Sequence, residues 1–202
     1  MRRISNRIVN TFYRKDHTEW LDINPLIPMA EEFESQISSW SANLPVVMQY
    51  ESGSIDGVES PSKELGWATA NRLLEMKAWL YRPFLYYAIH TPTLALDAPD
   101  NQALRRFVDA AMDCNHSIIQ NRSVRHRHHG IWFDIRALVT AAVVLTAVIK
   151  SRTVNVPSNW ENSFQIIINN IQFWEEESPD LPKTKSIVEE LLADSRKTMG
   201  LT

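Results

Sequence analysis

The stretch from residue 66 to residue 90, GWATANRLLEMKAWLYRPFLYYAIH, constrains the fold more than any other part of the chain. Apolar residues recur there at steps of three and four, which is the period of an α-helix with one buried stripe. The stripe consists of Leu73, Met76, Leu80, Phe84 and Tyr87, and Trp79 and Leu85 widen it. We therefore expect residues 66–90 to form the central helix of an all-α domain.

Pro83 lies inside this predicted helix. A proline in a helix interior lacks an amide donor, and its ring clashes with the carbonyl four residues earlier, which here belongs to Trp79. The sequence therefore predicts a kink between Trp79 and Arg82.

Helical periodicity recurs along the rest of the chain, and we predict about seven helices packed as an irregular bundle. The first ends near Lys15, and the second carries Leu26, Met29, Phe33, Ile37 and Trp40 on one face. A fourth helix starts near Asp100, residues 131–149 form an apolar core helix, and an amphipathic pair follows from Trp160. The chain has only five glycines, and extended apolar–polar alternation is nearly absent, which weighs against a sandwich or barrel.

Residues 49–62 are rich in Gly, Ser, Asp, Glu and Pro, and have almost nothing to bury, so they are predicted to form a flexible loop. At 202 residues the chain is expected to be a single helical domain, or the C-terminal part of a larger one.

Charge and cysteine content limit the classes of function. A net charge of −3 weighs against a dedicated nucleic-acid binder, which normally has a large basic face. The single cysteine, Cys114, excludes an internal disulfide and a cysteine-based zinc site, and favours a reducing, intracellular compartment. The basic N-terminus has no continuous apolar core, so no secretory signal is predicted.

Residues 131–149 invite comparison with a membrane span. Charges near their start, at Asp134 and Arg136, are costly in hydrocarbon. The thirteen uncharged residues between Arg136 and Lys150 extend about 20 Å as a helix, which is short of a span. We expect a buried core helix and no membrane.

One pair of residues suggests acid–base chemistry. Tyr86 and His90 lie four apart on the central helix, where His90 could act as a general base and Tyr86 as a hydrogen-bond donor. No nucleophile or third orienting group accompanies them. The simpler interpretation is that both are core aromatics with hydrogen-bonded polar tips.

Other residues suggest a ligand pocket between helices. Trp79, Tyr87 and Trp132 could supply aromatic walls, and Arg136 could bind a ligand carboxylate. The alternative is that the tryptophans are core residues and that the charges pair internally. On that view we expect Arg136 to meet Glu75, or Asp134 to meet Arg82.

The segment NRSVRHRHHG, residues 121–130, contains three arginines and three histidines. His126 and His128, with His116 upstream, have spacing that could suit zinc, but adjacent arginines repel a cation. A solvated loop that contacts anions is the simpler interpretation, so neither a metal site nor a cofactor is predicted.

Several motifs, in this order, resemble the C-terminal half of the regulatory region of fungal zinc binuclear-cluster transcription factors. They are RRISNRIVNTFY, then W-x-x-x-L-P from Trp40 to Pro45, then L-x-x-x-x-W-L-Y-R-P-F-L-Y-Y-A-I-H from Leu74 to His90, then A-x-x-C-x-x-x-I from Ala111 to Ile118. Arg82-Pro83-Phe84 is the most specific element. The resemblance implies an intracellular protein of the nucleus or cytoplasm with a regulatory role.

Members of that family bind DNA through a separate zinc cluster held by six cysteines, which one cysteine cannot build. We therefore expect a regulatory domain that senses an effector or holds a protein partner or second copy, without sequence-specific DNA binding of its own. A small apolar metabolite is the expected effector. The alternatives are a small enzyme of secondary metabolism that uses His90 and Tyr86, and an interaction module that docks a missing half.

Overall fold

The structure is a computed structural model that describes residues 1–14, 16–49, 61–91, 93–123, 128 and 130–201. Within these residues the chain forms seven α-helices and no β-strand, so the predicted all-α bundle is confirmed. The helices are α1 (Arg2–Phe12), α2 (Leu26–Ala42), α3 (Pro61–His90), α4 (Gln102–Arg122), α5 (Ile131–Ser151), α6 (Trp160–Phe173) and α7 (Leu181–Met199).

Three details of the predicted elements need correction. The first helix ends at Phe12, before the predicted end near Lys15, and the central helix begins at Pro61 rather than at residue 66. On α2 the buried face consists of Ala30, Phe33 and Ile37, whereas Met29 is 44% exposed. Most of the predicted loop at 49–62 lies outside the described residues. The α3 helix continues through Pro83. Because a kinked helix can also be continuous, the predicted kink stays a prediction.

Two apolar clusters form the core, and α4 contributes to both. The first consists mainly of residues from α1, α2, α3 and α4, with Val148 of α5, and it includes the stacked pair Phe84 and Phe107, whose ring centroids are 4.3 Å apart. The second joins α4 to α7 around Leu138, Phe164 and Val188, all of them fully buried. Because α4 belongs to both clusters, it fixes the position of α3 relative to α5.

By length and composition alone, α5 is the one helix of the described residues that could cross a membrane. Its residues Ile135, Leu138, Leu145 and Ile149 are buried in the second cluster. Asp134, at its N-terminal end, is also buried, and its carboxylate is paired. The packing is that of a core helix.

Candidate functional site

A groove of about 370 Å³, here called the central groove, runs between the three middle helices. The α4 helix forms its floor, and α3 and α5, which both pack on α4, form its walls. This volume lies within the range of small-molecule sites in proteins. Its apolar lining includes Ala78, Trp79, Leu85, Ala111, Ile118 and Val144.

Helical spacing and side-chain size together create the groove. Residues three and four apart on a helix share one face, which places Ala78, Arg82 and Leu85 of α3 on the same wall. The lining contains four alanines, Ala78, Ala111, Ala137 and Ala141. Their short side chains leave open the space that larger residues fill elsewhere in the core.

Two neutral polar side chains, one on the floor and one on the α5 wall, already donate hydrogen bonds to backbone carbonyls. The side-chain amide of Asn115 donates to the carbonyl oxygen of Ala141 at 3.2 Å. The hydroxyl of Thr140 donates to the carbonyl oxygen of Arg136 at 2.8 Å. Most of the donors left for a ligand therefore belong to guanidinium groups.

Two such guanidiniums line the walls: that of Arg82, half-buried on α3, and that of Arg136, exposed on α5. Neither forms an ion pair with any residue that the structure describes. The arginines of a shallower depression beside α4 differ: Arg105 pairs with Asp97 and Asp109, and Arg106 pairs with Glu31 and Glu34. Of these two sites, the groove is the one that combines an apolar surrounding with unneutralised charge.

A buried charge cluster closes the end of the groove at Arg122. The Arg122 Nη1 donates to Oδ1 of Asp134 at 2.6 Å, and His128 Nε2 lies 2.8 Å from the other carboxylate oxygen. Trp67 packs edge-on against His128 and donates from its indole nitrogen to the carbonyl of Asn121 at 2.9 Å. Burial raises the pKa of Asp134, and the positive charge of Arg122 opposes that rise.

Arg122 is 7% exposed and only partly satisfied. Its Nη2 lies 3.4 Å from the carbonyl oxygen of Asn71 and 4.0 Å from Glu75, and its Nε is buried without an acceptor among the described residues. A buried donor left unpaired costs about 1–3 kcal/mol. The groove therefore ends at a buried guanidinium whose Nε has no acceptor among the described residues.

These contacts correct the predicted pairing. Asp134 meets Arg122 and His128 rather than Arg82, and Glu75 lies near Arg72 and Arg122 rather than Arg136. Arg122, which was expected in a solvated loop, is buried at the end of α4. The cause is the antiparallel packing of α4 and α5, which brings the end of one against the start of the other.

Of the four predicted ligand-binding residues, two line the central groove and two lie outside its lining. Trp79 and Arg136 both line the central groove. Tyr87 is half-buried and packs against the first core cluster, and Trp132 is 49% exposed near the start of α5. Phe133, next to Trp132, supplies the aromatic group on the α5 side. The remaining tryptophans of the described chain include three buried core residues, Trp67, Trp160 and Trp174.

The predicted acid–base pair lies elsewhere on α3. His90 is exposed, its Nδ1 is 2.9 Å from the backbone carbonyl oxygen of Tyr86, and the two rings stack with centroids 3.9 Å apart. Tyr86 in turn packs edge-on against Trp20. The described residues that line the groove include neither His90 nor Tyr86.

Sequence reasoning missed the roles of Arg82, Arg122 and Asn115. Arg82 follows Trp79 by three residues, and that spacing is the signal that could have placed it in the groove. His126 of the suggested zinc set lies outside the described residues. Among those described, no group of three or more His, Cys, Asp or Glu side chains could hold a metal ion.

No protein-family model, no curated protein and no solved structure matches this chain. Fold and groove together define an all-α bundle with an open, partly cationic groove between its central helices. The resemblance to fungal regulatory regions rests on the sequence motifs alone.

Proposed function

We propose that this chain is a regulatory helical domain that binds a small effector in the central groove. The observation that carries the proposal is the groove itself, an alanine-lined space between three helices that keeps two arginines without ion-pair partners among the described residues. Its position supports regulation, because a ligand there touches α3, α4 and α5 at once. Such a ligand stabilises whichever arrangement of these helices it contacts best.

The motif order from Trp40 to Ile118 supports a relationship to the regulatory region of fungal zinc-cluster transcription factors. The domain would act in the nucleus or cytoplasm and pass its response to a protein partner or a second copy. One cysteine and a net charge of −3 support the view that DNA contact is made by another module.

The enzyme alternative requires His90 and Tyr86 to reach a bound substrate. His90 is exposed and its ring lies on Tyr86, away from the residues that line the groove. No contact in the described residues favours this alternative, so the regulatory function is the one proposed.

A tethered reporter tests the regulatory function. The chain is fused to a heterologous DNA-binding module in a fungal host, and reporter expression is compared with that of the module alone. Ala137→Phe fills the groove from the α5 wall, and Ala193→Phe adds the same side chain to the exposed surface of α7 as the matched control. We expect the fused chain to change expression, Ala137→Phe to abolish the change and Ala193→Phe to preserve it. Equal expression with and without the chain would contradict the proposal.

A further inference from the structure

The geometry points to one class of ligand for the central groove: an amphipathic organic anion whose acidic group binds between Arg82 and Arg136 while its apolar body lies on the α4 floor. This inference rests on the proposed function, because it takes the groove as the effector site. It replaces the expected apolar metabolite with one that carries a negative charge.

The hydrogen-bonding inventory of the groove carries the inference. A guanidinium has five N–H donors and no acceptor, so it is satisfied by an anion and by few neutral groups. Asn115 and Thr140 each donate one hydrogen bond to a backbone carbonyl, which reduces the number of neutral donors that the floor and the α5 wall offer to a ligand. What the groove offers to a ligand is therefore mostly cationic donors.

The charged residues that line the groove also favour an anionic ligand. Three guanidiniums line it, from Arg82, Arg122 and Arg136, against the single carboxylate of Glu75. Asp134 compensates Arg122, which leaves Arg82 and Arg136 as the groups available to an incoming charge. A positive groove in a chain of net charge −3 attracts anions locally despite the overall charge.

The buried end of the groove adds an independent observation. Arg122 is more than nine-tenths buried, lines the groove and has an Nε with no acceptor among the described residues. This buried, under-bonded guanidinium adds positive charge at the end of the groove. The apolar residues Trp79, Ile118 and Val144 provide the surface for the body of the ligand.

A matched pair of fluorescent probes tests the charge requirement. The anion is 1-anilinonaphthalene-8-sulfonate, and its neutral counterpart, N-phenyl-1-naphthylamine, has the same rings without the sulfonate. Both are titrated into the full chain and into Arg82→Met, Arg136→Met and the control Arg3→Met, which removes an exposed arginine of α1. Near-ultraviolet circular dichroism confirms that each variant is folded, and Ala137→Phe reports whether a probe occupies the groove.

We expect one anion to bind per chain, each groove-arginine variant to weaken that binding by about tenfold, and Arg3→Met to leave it unchanged. The neutral probe should bind the wild type and all three arginine variants alike. The anion inference would be overturned if both probes bound equally well, lost binding in Ala137→Phe and kept it in Arg82→Met and Arg136→Met. That result would leave the groove as the effector site. No binding, or binding that Ala137→Phe does not change, would overturn both.

Discussion

The hydroxyl of Tyr13 donates a 2.7 Å hydrogen bond to the backbone carbonyl oxygen of Trp79. Pro83, four residues later, has no N–H to offer that carbonyl. Burial raises the pKa of Tyr13 to about 12, partly offset by the charge of Arg82, so the hydroxyl is protonated near neutral pH. Tyr13, which directly follows α1, thus supplies a donor in place of the one that the proline removes, and it does so at the groove residue Trp79.

Replacing Tyr13 with phenylalanine should destabilise the fold by about 0.5–1.5 kcal/mol, because it removes this hydrogen bond to the Trp79 carbonyl oxygen. In the Pro83→Ala background the same change should cost less, since that substitution restores a backbone amide that can bond within the helix. Urea unfolding of the four chains of this double-mutant cycle measures the coupling. Equal cost in both backgrounds would show that Tyr13 contributes through packing alone.

The Arg122–Asp134 pair should be far more sensitive than an exposed pair. Arg122→Met leaves a buried carboxylate without its main partner, and we expect a loss of about 3–5 kcal/mol. Adding Asp134→Leu should recover part of that loss, because no charge then remains buried. Lys150→Met, which breaks the exposed pair with Asp194, serves as the control and should have little effect on unfolding. A small loss in Arg122→Met would mean that water reaches this end of the groove.

Cys114 should react slowly in the folded chain. The residue is 6% exposed, and burial raises the pKa of its thiol to about 11. The folded state therefore holds this proton more tightly than the unfolded chain, and stability should fall as the pH rises from 9 towards 11. Iodoacetamide labelling should be slow at pH 8 and accelerate with pH or urea. Rapid labelling of the native protein at pH 8 would contradict the burial of this thiol.

His90 and Tyr86 should be dispensable for ligand binding. Because they lie outside the groove lining, His90→Ala and Tyr86→Phe should leave the affinity for 1-anilinonaphthalene-8-sulfonate unchanged, whereas Arg136→Met weakens it. Fluorescence titration of the three variants makes the comparison. A loss of affinity in His90→Ala equal to that in Arg136→Met would revive the acid–base interpretation of this pair.

Periodicity was sufficient to predict the helices and much of the core. Leu80 and Phe84 lie four apart on α3, share one face of that helix and are fully buried. Leu145 lies on the buried face of α5. The partner of Asp134 was not predictable in this way, because it depends on how α4 and α5 pack against each other. Pattern alone cannot tell which charged residue of a neighbouring helix will face a buried carboxylate.

The groove was predictable only in part. An arginine and a tryptophan at its walls, Arg136 and Trp79, stand out in an apolar sequence. The space itself comes from alanines on all three helices, and a small residue in a sequence gives no sign of whether a neighbour fills the gap. Tyr87 and Trp132 look like equally good wall residues, yet rotation of their helices directs them elsewhere.

Native mass spectrometry of the chain purified from its own host tests the effector site most directly, with the bound molecule identified after denaturation. We predict a stoichiometric small anion with an apolar body on the wild-type chain and on Arg3→Met. The same anion should be depleted from Arg82→Met and absent from Ala137→Phe. A folded wild-type chain that carries no small molecule, or one retained in Ala137→Phe, would contradict the assignment of the central groove as the effector site.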